Sequence, residues 1–263
     1  MTSFVRLSST PYEKVWGTAR TEPWYRNPER KAIGEVWFEA SDETTLLVKI
    51  LFTSERLSVQ VHPDDGYARE HENSAGKTEM WHILRADAGA EVATSLKEPI
   101  SRERLREACV SGEVVDLLDW TPVSKGDTFY LPAGTIHAIG GGIVACEVQQ
   151  RSDVTYRLFD YHRGRELHLE RGLDVAKLEP CGRRAKNPRL VESPYFRTEI
   201  VNVAASASLP LAGAGTILVA LEGDGEIAGQ PFRPGDAFEA DLRGLTVRIE
   251  AVQATFLITA PVQ

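Results

Sequence analysis

Short apolar runs, some alternating and some continuous, set the rhythm of the chain. AIGEVWFEA, TLLVKILF, LSVQVH, TEMWHIL, GDTFYLP and GIVACEVQQ come first, then TILVALEG, TVRIE and ATFLIT near the end. Most are bounded by Gly, Pro, Asp or Asn, so they read as strands closed by turns and predict an all-β, mainly antiparallel sandwich or barrel. Two segments carry a helical pattern instead: PDDGYAREHEN, and PISRERLREACVSGEVVDLLDW, where Leu105, Ala108 and Cys109 share one stripe. Around residues 178 to 194 the chain turns basic and loop-like, LEPCGRRAKNPRLVESP. This predicts a connector between a larger first unit, 1–180, and a smaller β unit, 181–263. The turn signatures SKGDTFYLPAG and FRPGDAFEAD suggest that the second unit is a degenerate repeat of the first.

The same alternation sorts the polar residues. In LSVQVHPDD it places Ser58, Gln60 and His62 on one face and Val59 and Val61 on the other, without saying which face is inside. In GKTEMWHIL, Glu79 and Trp81 share one face, Met80 and His82 the opposite one. In GDTFYLPAGTIHAIGGG, Pro132 and Gly134 shape a turn that delivers His137 to the following stretch. One Gln, two His and one Glu arriving from separate strands form a nitrogen and oxygen ligand set of the kind zinc accepts. All six histidines, at 62, 71, 82, 137, 162 and 168, precede the connector, so histidine chemistry belongs to the first unit.

Composition and charge act mainly by exclusion. A net charge of −8 argues against nucleic acid or an anionic membrane as partner. The start, MTSFVRLSSTPYEK, lacks the basic and apolar regions of a secretory leader, and TLLVKILF is far short of a membrane span. Cys109, Cys146 and Cys181 are odd in number and lack CxxC spacing, which fits a reducing compartment. The expectation is a soluble cytoplasmic protein. AIGGGI and LAGAG lack the spacing of a phosphate loop and read as turns. Asp64 and Asp65 read as acidic residues at a helix start, His71, His162 and His168 as surface or loop residues, and Arg163 and Arg165 as a solvated turn. Lys49, inside TLLVKILF, must reach water, a partner or a pocket.

The run Gly126-x5-Pro132-x-Gly134-x2-His137 resembles the second signature of the cupin superfamily, and SVQVH with the later Glu79 resembles a stretched first signature. Within it, LSVQVHPDD, GKTEMW, YLPAGTIHAI and EVQQRSDVTYRLFDYHR together resemble the type I mannose-6-phosphate isomerases in their short bacterial form, from WGTAR at residue 16 to RELHLE near residue 170. The resemblance implies two β units built as cupin jelly-roll barrels with short helical inserts, and one Zn2+ per chain held by Gln60, His62, Glu79 and His137. The polar face of SVQVH would then be the inside.

It also implies an aldose–ketose isomerase that interconverts D-mannose 6-phosphate and D-fructose 6-phosphate through a metal-assisted cis-enediol. Arg157 would stabilise negative charge over the sugar carbons, Lys77 would stand beside the metal and Glu147 would transfer the proton. Ser58 and Lys49 match positions used around the sugar phosphate. The expected partner is a small-molecule sugar phosphate, the chain being a monomer or homodimer. The sequence departs from the family in the short segment between GEVWFEA and LLVKILF and in WGTAR where WGG is usual. Those departures leave open an isomerase of another sugar or sugar phosphate, and a non-catalytic metal-containing cupin that binds sugar phosphate. A cupin oxygenase fits less well, since its iron more often takes histidines with a carboxylate than a glutamine.

Overall fold

The alternating runs fold as strands. A computed structural model describes residues 4–42, 44–187, 189–241 and 244–262. Its contacts group into two compact units, Thr53–Ala185, and Met1–Phe52 with Lys186–Gln263. The expected boundary near residue 180 places the first 52 residues with the first unit, whereas the contacts group them with the C-terminal part. Pro188 of the expected connector lies outside the described residues.

The discontinuous unit begins with β1 (Phe4–Arg6), β2 (Ser8–Thr18), β3 (Ile33–Glu39) and β4 (Leu46–Phe52), of which β2, β3 and β4 pair antiparallel in that order. The Thr53–Ala185 unit carries β5 (Val59–Val61), β6 (Glu79–Ala86), β7 (Glu91–Leu96), β8 (Leu118–Pro122), β9 (Thr128–Leu131), β10 (Ala138–Ile139), β11 (Ile143–Gln150), β12 (Tyr156–Phe159) and β13 (Arg183–Arg184). Here β6 lies between β9 and β11, β13 extends the sheet beyond β9, and β10, β7 and β8 form a second small sheet. β5 pairs antiparallel with β12. The discontinuous unit resumes with β14 (Leu190–Glu192), β15 (Phe196–Pro210), β16 (Thr216–Glu222), β17 (Gly225–Ile227), β18 (Gln230–Phe232), β19 (Ala237–Ala240) and β20 (Thr246–Pro261).

Three local expectations change. TVRIE and ATFLIT are one strand, β20, running beside β15, whose polar sequence FRTEIVNVAASASLP gave no strand signal. Its partner decides its state: fifteen residues of β15 pair with β20, and Thr198 and Thr259 share a buried hydroxyl contact of 2.8 Å. The second helical segment is two helices, α2 (Arg102–Ser111) and α3 (Val114–Leu117), because Gly112 takes φ +88°, a left-handed stop that glycine adopts at little cost. The remaining LDW of that segment enters β8.

The first helical segment forms α1 (Asp65–Glu72), capped by Asp64, whose side chain accepts from Tyr67 N at 2.9 Å. A further helix, α4 (Leu169–Val175), follows His168. None of the helices among the described residues is long and apolar enough to cross a membrane.

Val59 and Val61 settle which side of SVQVH is inside. Both are fully buried in an apolar cluster with Leu105, Ala108, Leu158 and Leu173, while His62 is also buried on the other face. The valine face packs under α2 and α4, and on the polar face Ser58 and His62 are buried while Gln60 between them is partly exposed.

Candidate metal centre

Each centre residue reaches its place for a local reason. His62 follows β5, and its main-chain carbonyl accepts from Gly134 N at 2.8 Å. That contact fastens the Pro132–Gly134 turn, where Gly134 takes φ +85° and a Cβ would meet Val175 O at 2.9 Å. The turn passes His137 to a mutual backbone bridge with Gln60, N to O 3.0 Å in both directions. Directly opposed residues project from the same side of such a pair, so Gln60 and His137 face one way. Glu79 opens β6 and is 1% exposed.

These segments bring His62, Glu79 and His137 together. The ligand atoms lie within 4.8 Å of one another, with His62 Nε2 3.4 Å and His137 Nε2 3.3 Å from the Glu79 carboxylate oxygens. Lys77 Nζ stands 3.6 Å from the same carboxylate. The two imidazole rings are 4.8 Å apart.

The tautomers follow from the outer nitrogens. His62 Nδ1 lies 3.0 Å from Val154 O and His137 Nδ1 2.8 Å from Thr135 O. A carbonyl only accepts, so each Nδ1 carries the proton, and in the neutral ring Nε2 presents a lone pair inward. Burial pushes the His137 imidazole down to about 4, against a smaller opposing effect of the Thr135 carbonyl, so that ring is neutral near pH 7. His137 Nε2 is buried without a hydrogen-bond partner among the described residues. In its neutral form His137 turns a lone pair toward one oxygen of that carboxylate at 3.3 Å, with the Lys77 ammonium 3.6 Å from the other oxygen. The donor set fits a divalent metal ion: two neutral imidazoles and one carboxylate, with carbonyls behind the imidazoles holding their orientation.

Glu147 and Arg157 arrive from neighbouring strands. Glu147 opposes Trp81 in the β11–β6 register, and the Trp81 indole donates to Glu147 Oε1 at 2.7 Å while standing edge-on to the His137 ring at 5.5 Å. Trp81 therefore links Glu147 to the centre. It was legible as a residue sharing the face of Glu79, but alternation assigned it no partner. Arg157 opposes Gln60 in the β12–β5 register. Its Nη1 donates to Glu166 O at 2.7 Å, its Nε is buried, and partial burial together with nearby Arg165 lowers its pKa while leaving it a cation.

The remaining expected residues divide. Ser58 is buried next to β5. Lys49 belongs to the discontinuous unit, where it is 4% exposed, 3.6 Å from Glu35 Oε2 and 5.3 Å above the Trp37 ring. It meets a carboxylate and an indole, the partner that its apolar run required.

Contacts add to three of the expected readings. His168 is part of the Arg157 environment, since its Nδ1 accepts from Arg157 N at 3.3 Å. Arg163 and Arg165 both ion-pair with Asp160, which is 3% exposed, because a buried carboxylate needs cations that a solvated turn would not offer. Asp65 also does more than favour a helix start: its Oδ1 accepts from Gly76 N at 2.8 Å and Gln150 Nε2 at 2.9 Å.

No protein-family model matches the chain. The chain is 41% identical over 202 residues to a mannose-6-phosphate isomerase of Streptococcus mutans, covering 67% of this chain and 64% of that one. It is 39% identical over 216 residues to mannose-6-phosphate isomerase ManA of Bacillus subtilis, covering 74% of this chain and 68% of that one. The chain thus spans about two thirds of the length of these relatives. Among solved structures, a mannose 6-phosphate isomerase from Bacillus subtilis superposes with a TM-score of 0.85 at 25% identity, covering 98% of this chain and 100% of that one. A putative mannosephosphate isomerase from Archaeoglobus fulgidus, at 18% identity, shares the fold with a TM-score of 0.82 over 98% of this chain and 97% of that one.

Proposed function

The chain belongs to the mannose-6-phosphate isomerase family, and from that premise we propose that it interconverts D-mannose 6-phosphate and D-fructose 6-phosphate at a zinc centre held by Gln60, His62, Glu79 and His137. The observation that carries the reading is the buried convergence of two imidazole nitrogens on one carboxylate beside an ammonium group. Two neutral imidazoles, a carboxylate and an amide are nitrogen and oxygen donors that suit zinc. Bound there, the ion supplies Lewis acidity to the carbonyl and hydroxyl oxygens of the open-chain sugar.

The residues divide the rest of the work. Glu147, oriented by Trp81, moves the proton between C1 and C2. Arg157 keeps its charge in a half-buried setting, where it counts for more against an enediolate oxygen than it would in water. Lys77 adds positive charge next to Glu79, and Ser58 contributes a hydroxyl for the sugar phosphate.

Proton NMR of the protein with mannose 6-phosphate, beside a chelator-treated sample, tests the reading. The expected result is formation of fructose 6-phosphate that stops with chelator and returns with zinc. Metal-loaded protein that leaves mannose 6-phosphate unchanged refutes it.

A further inference from the structure

Gln149 is fully buried on β11 and stands opposite Glu79 of β6. Directly opposed residues in an antiparallel pair leave the same face of the sheet. Gln149 therefore shares the face of Glu79, and also that of Glu147 two residues earlier on its own strand. Its amide is held in one orientation: Nε2 donates to the main-chain carbonyls of Gln150, at 3.2 Å, and Ser152. Turning the amide over would set Oε1 against two oxygens that can only accept. Oε1 is left buried with no hydrogen-bond partner among the described residues. A buried acceptor in that state is costly unless a donor arrives.

The neighbouring groups of the centre do not supply that donor. The imidazole Nε2 atoms and the Glu79 carboxylate are acceptors, and Lys77 is directed at Glu79. What the position lacks is a donor, and an O–H group can supply one. An open-chain sugar carries several, and a water held in the metal pocket carries two such bonds.

We propose that Gln149 Oε1 accepts a hydrogen bond from an O–H group bound in the metal pocket and so positions it beside Glu79. This rests on the sugar-phosphate isomerase reading. A neutral amide oxygen favours a hydroxyl over an oxyanion, so it marks an oxygen that keeps its proton while charge develops elsewhere. Gln149 is thus a positioning residue, complementary to the cationic Arg157 and Lys77.

The test compares wild type with Gln149→Met, which keeps the side-chain length and removes the amide. Both proteins are loaded with metal, checked for metal content and melting temperature, and titrated calorimetrically with a hexitol 6-phosphate, which cannot isomerise. They are then titrated with analogues lacking the hydroxyl at carbon 1 or carbon 2. The expected result is roughly tenfold weaker binding by the variant. A deoxy analogue that abolishes this difference identifies a sugar hydroxyl as the donor. A difference that survives both deletions, with a changed absorption spectrum of the ligand-free Co2+ form, identifies water. Equal affinities and equal Co2+ spectra overturn the proposal.

Should Gln149→Met fail to fold or to hold metal, Gln149→Asn carries the same comparison, keeping the amide but withdrawing Oε1. If metal-loaded wild type fails to bind the hexitol 6-phosphate, the substrate reading fails instead, while the Co2+ comparison still decides the role of Gln149.

Discussion

The two compact units are both built from antiparallel strands, yet they use buried charge differently. In the discontinuous unit a buried carboxylate is matched within the fold: Glu239 accepts from Ser41 N and Ser41 Oγ, each at 2.8 Å, and Glu35 faces Lys49 and Lys14. Its apolar cluster includes Phe4, Leu218, Phe238 and Phe256, and it contains none of the six histidines. In the Thr53–Ala185 unit, Glu79 has Lys77 Nζ at 3.6 Å and, in addition, an imidazole nitrogen from each of His62 and His137 at 3.4 and 3.3 Å. One unit uses buried polar groups to hold its fold together. The other also pairs its buried carboxylates, Asp160 with Arg163 and Arg165 and Glu79 with Lys77, but at Glu79 it adds two imidazole nitrogens, a donor set that a divalent cation accepts.

The comparison is broken most directly at His137. His137→Ala is expected to lose stoichiometric metal and to reduce turnover to background, and metal analysis that still finds one ion per chain would contradict the ligand assignment. Arg157→Ala should retain metal while turnover falls about 100- to 1000-fold. A rate near that of wild type removes Arg157 from the mechanism.

Acid sharpens the contrast through a single buried ring. The His137 pKa is lowered from the ordinary 6.5 to about 4, so the unfolded chain takes up this proton first as pH falls. The stability from keeping the ring neutral is present in full above pH 6.5 and is lost progressively as the pH falls to about 4. The loss amounts to about 3 kcal/mol for the metal-free protein. Chemical denaturation of chelator-treated protein across that range should show it, and His137→Gln should show less.

Two smaller effects test local pairings that hold the fold. Lys49→Met leaves Glu35 with Lys14 as its nearby cation and is expected to cost about 2 kcal/mol in a thermal melt. An unchanged melt would mean that the pair contributes nothing to the fold. Asp64→Ala removes a helix cap worth about 1 kcal/mol and should leave metal content at wild-type levels. Metal loss in that variant would return Asp64 to the list of candidate ligands.

Legibility followed the range of each interaction. The strands at Ile33–Glu39, Leu46–Phe52, Glu79–Ala86 and Ile143–Gln150 were readable because dense apolar and β-branched residues mark a buried strand locally. β15 was not, since its small and polar residues become a strand only beside β20. The candidate ligands were readable as residue types on faces and turns. The link from Trp81 to Glu147 and the capture of the Arg157 backbone by His168 were not, because each joins separate segments.

The sequence by itself determined the β architecture and the turn that carries His137. It also marked Ser58, Gln60 and His62 as one alternating polar set, because alternation, proline and glycine act within a few residues. Only the tertiary structure decided that Glu79 meets two imidazoles at 3.3 to 3.4 Å, that Lys49 finds Glu35, and that the first 52 residues join those after 185. Those outcomes depend on strand register and on which distant segments exclude water together, and neither quantity is written in any local stretch of chain.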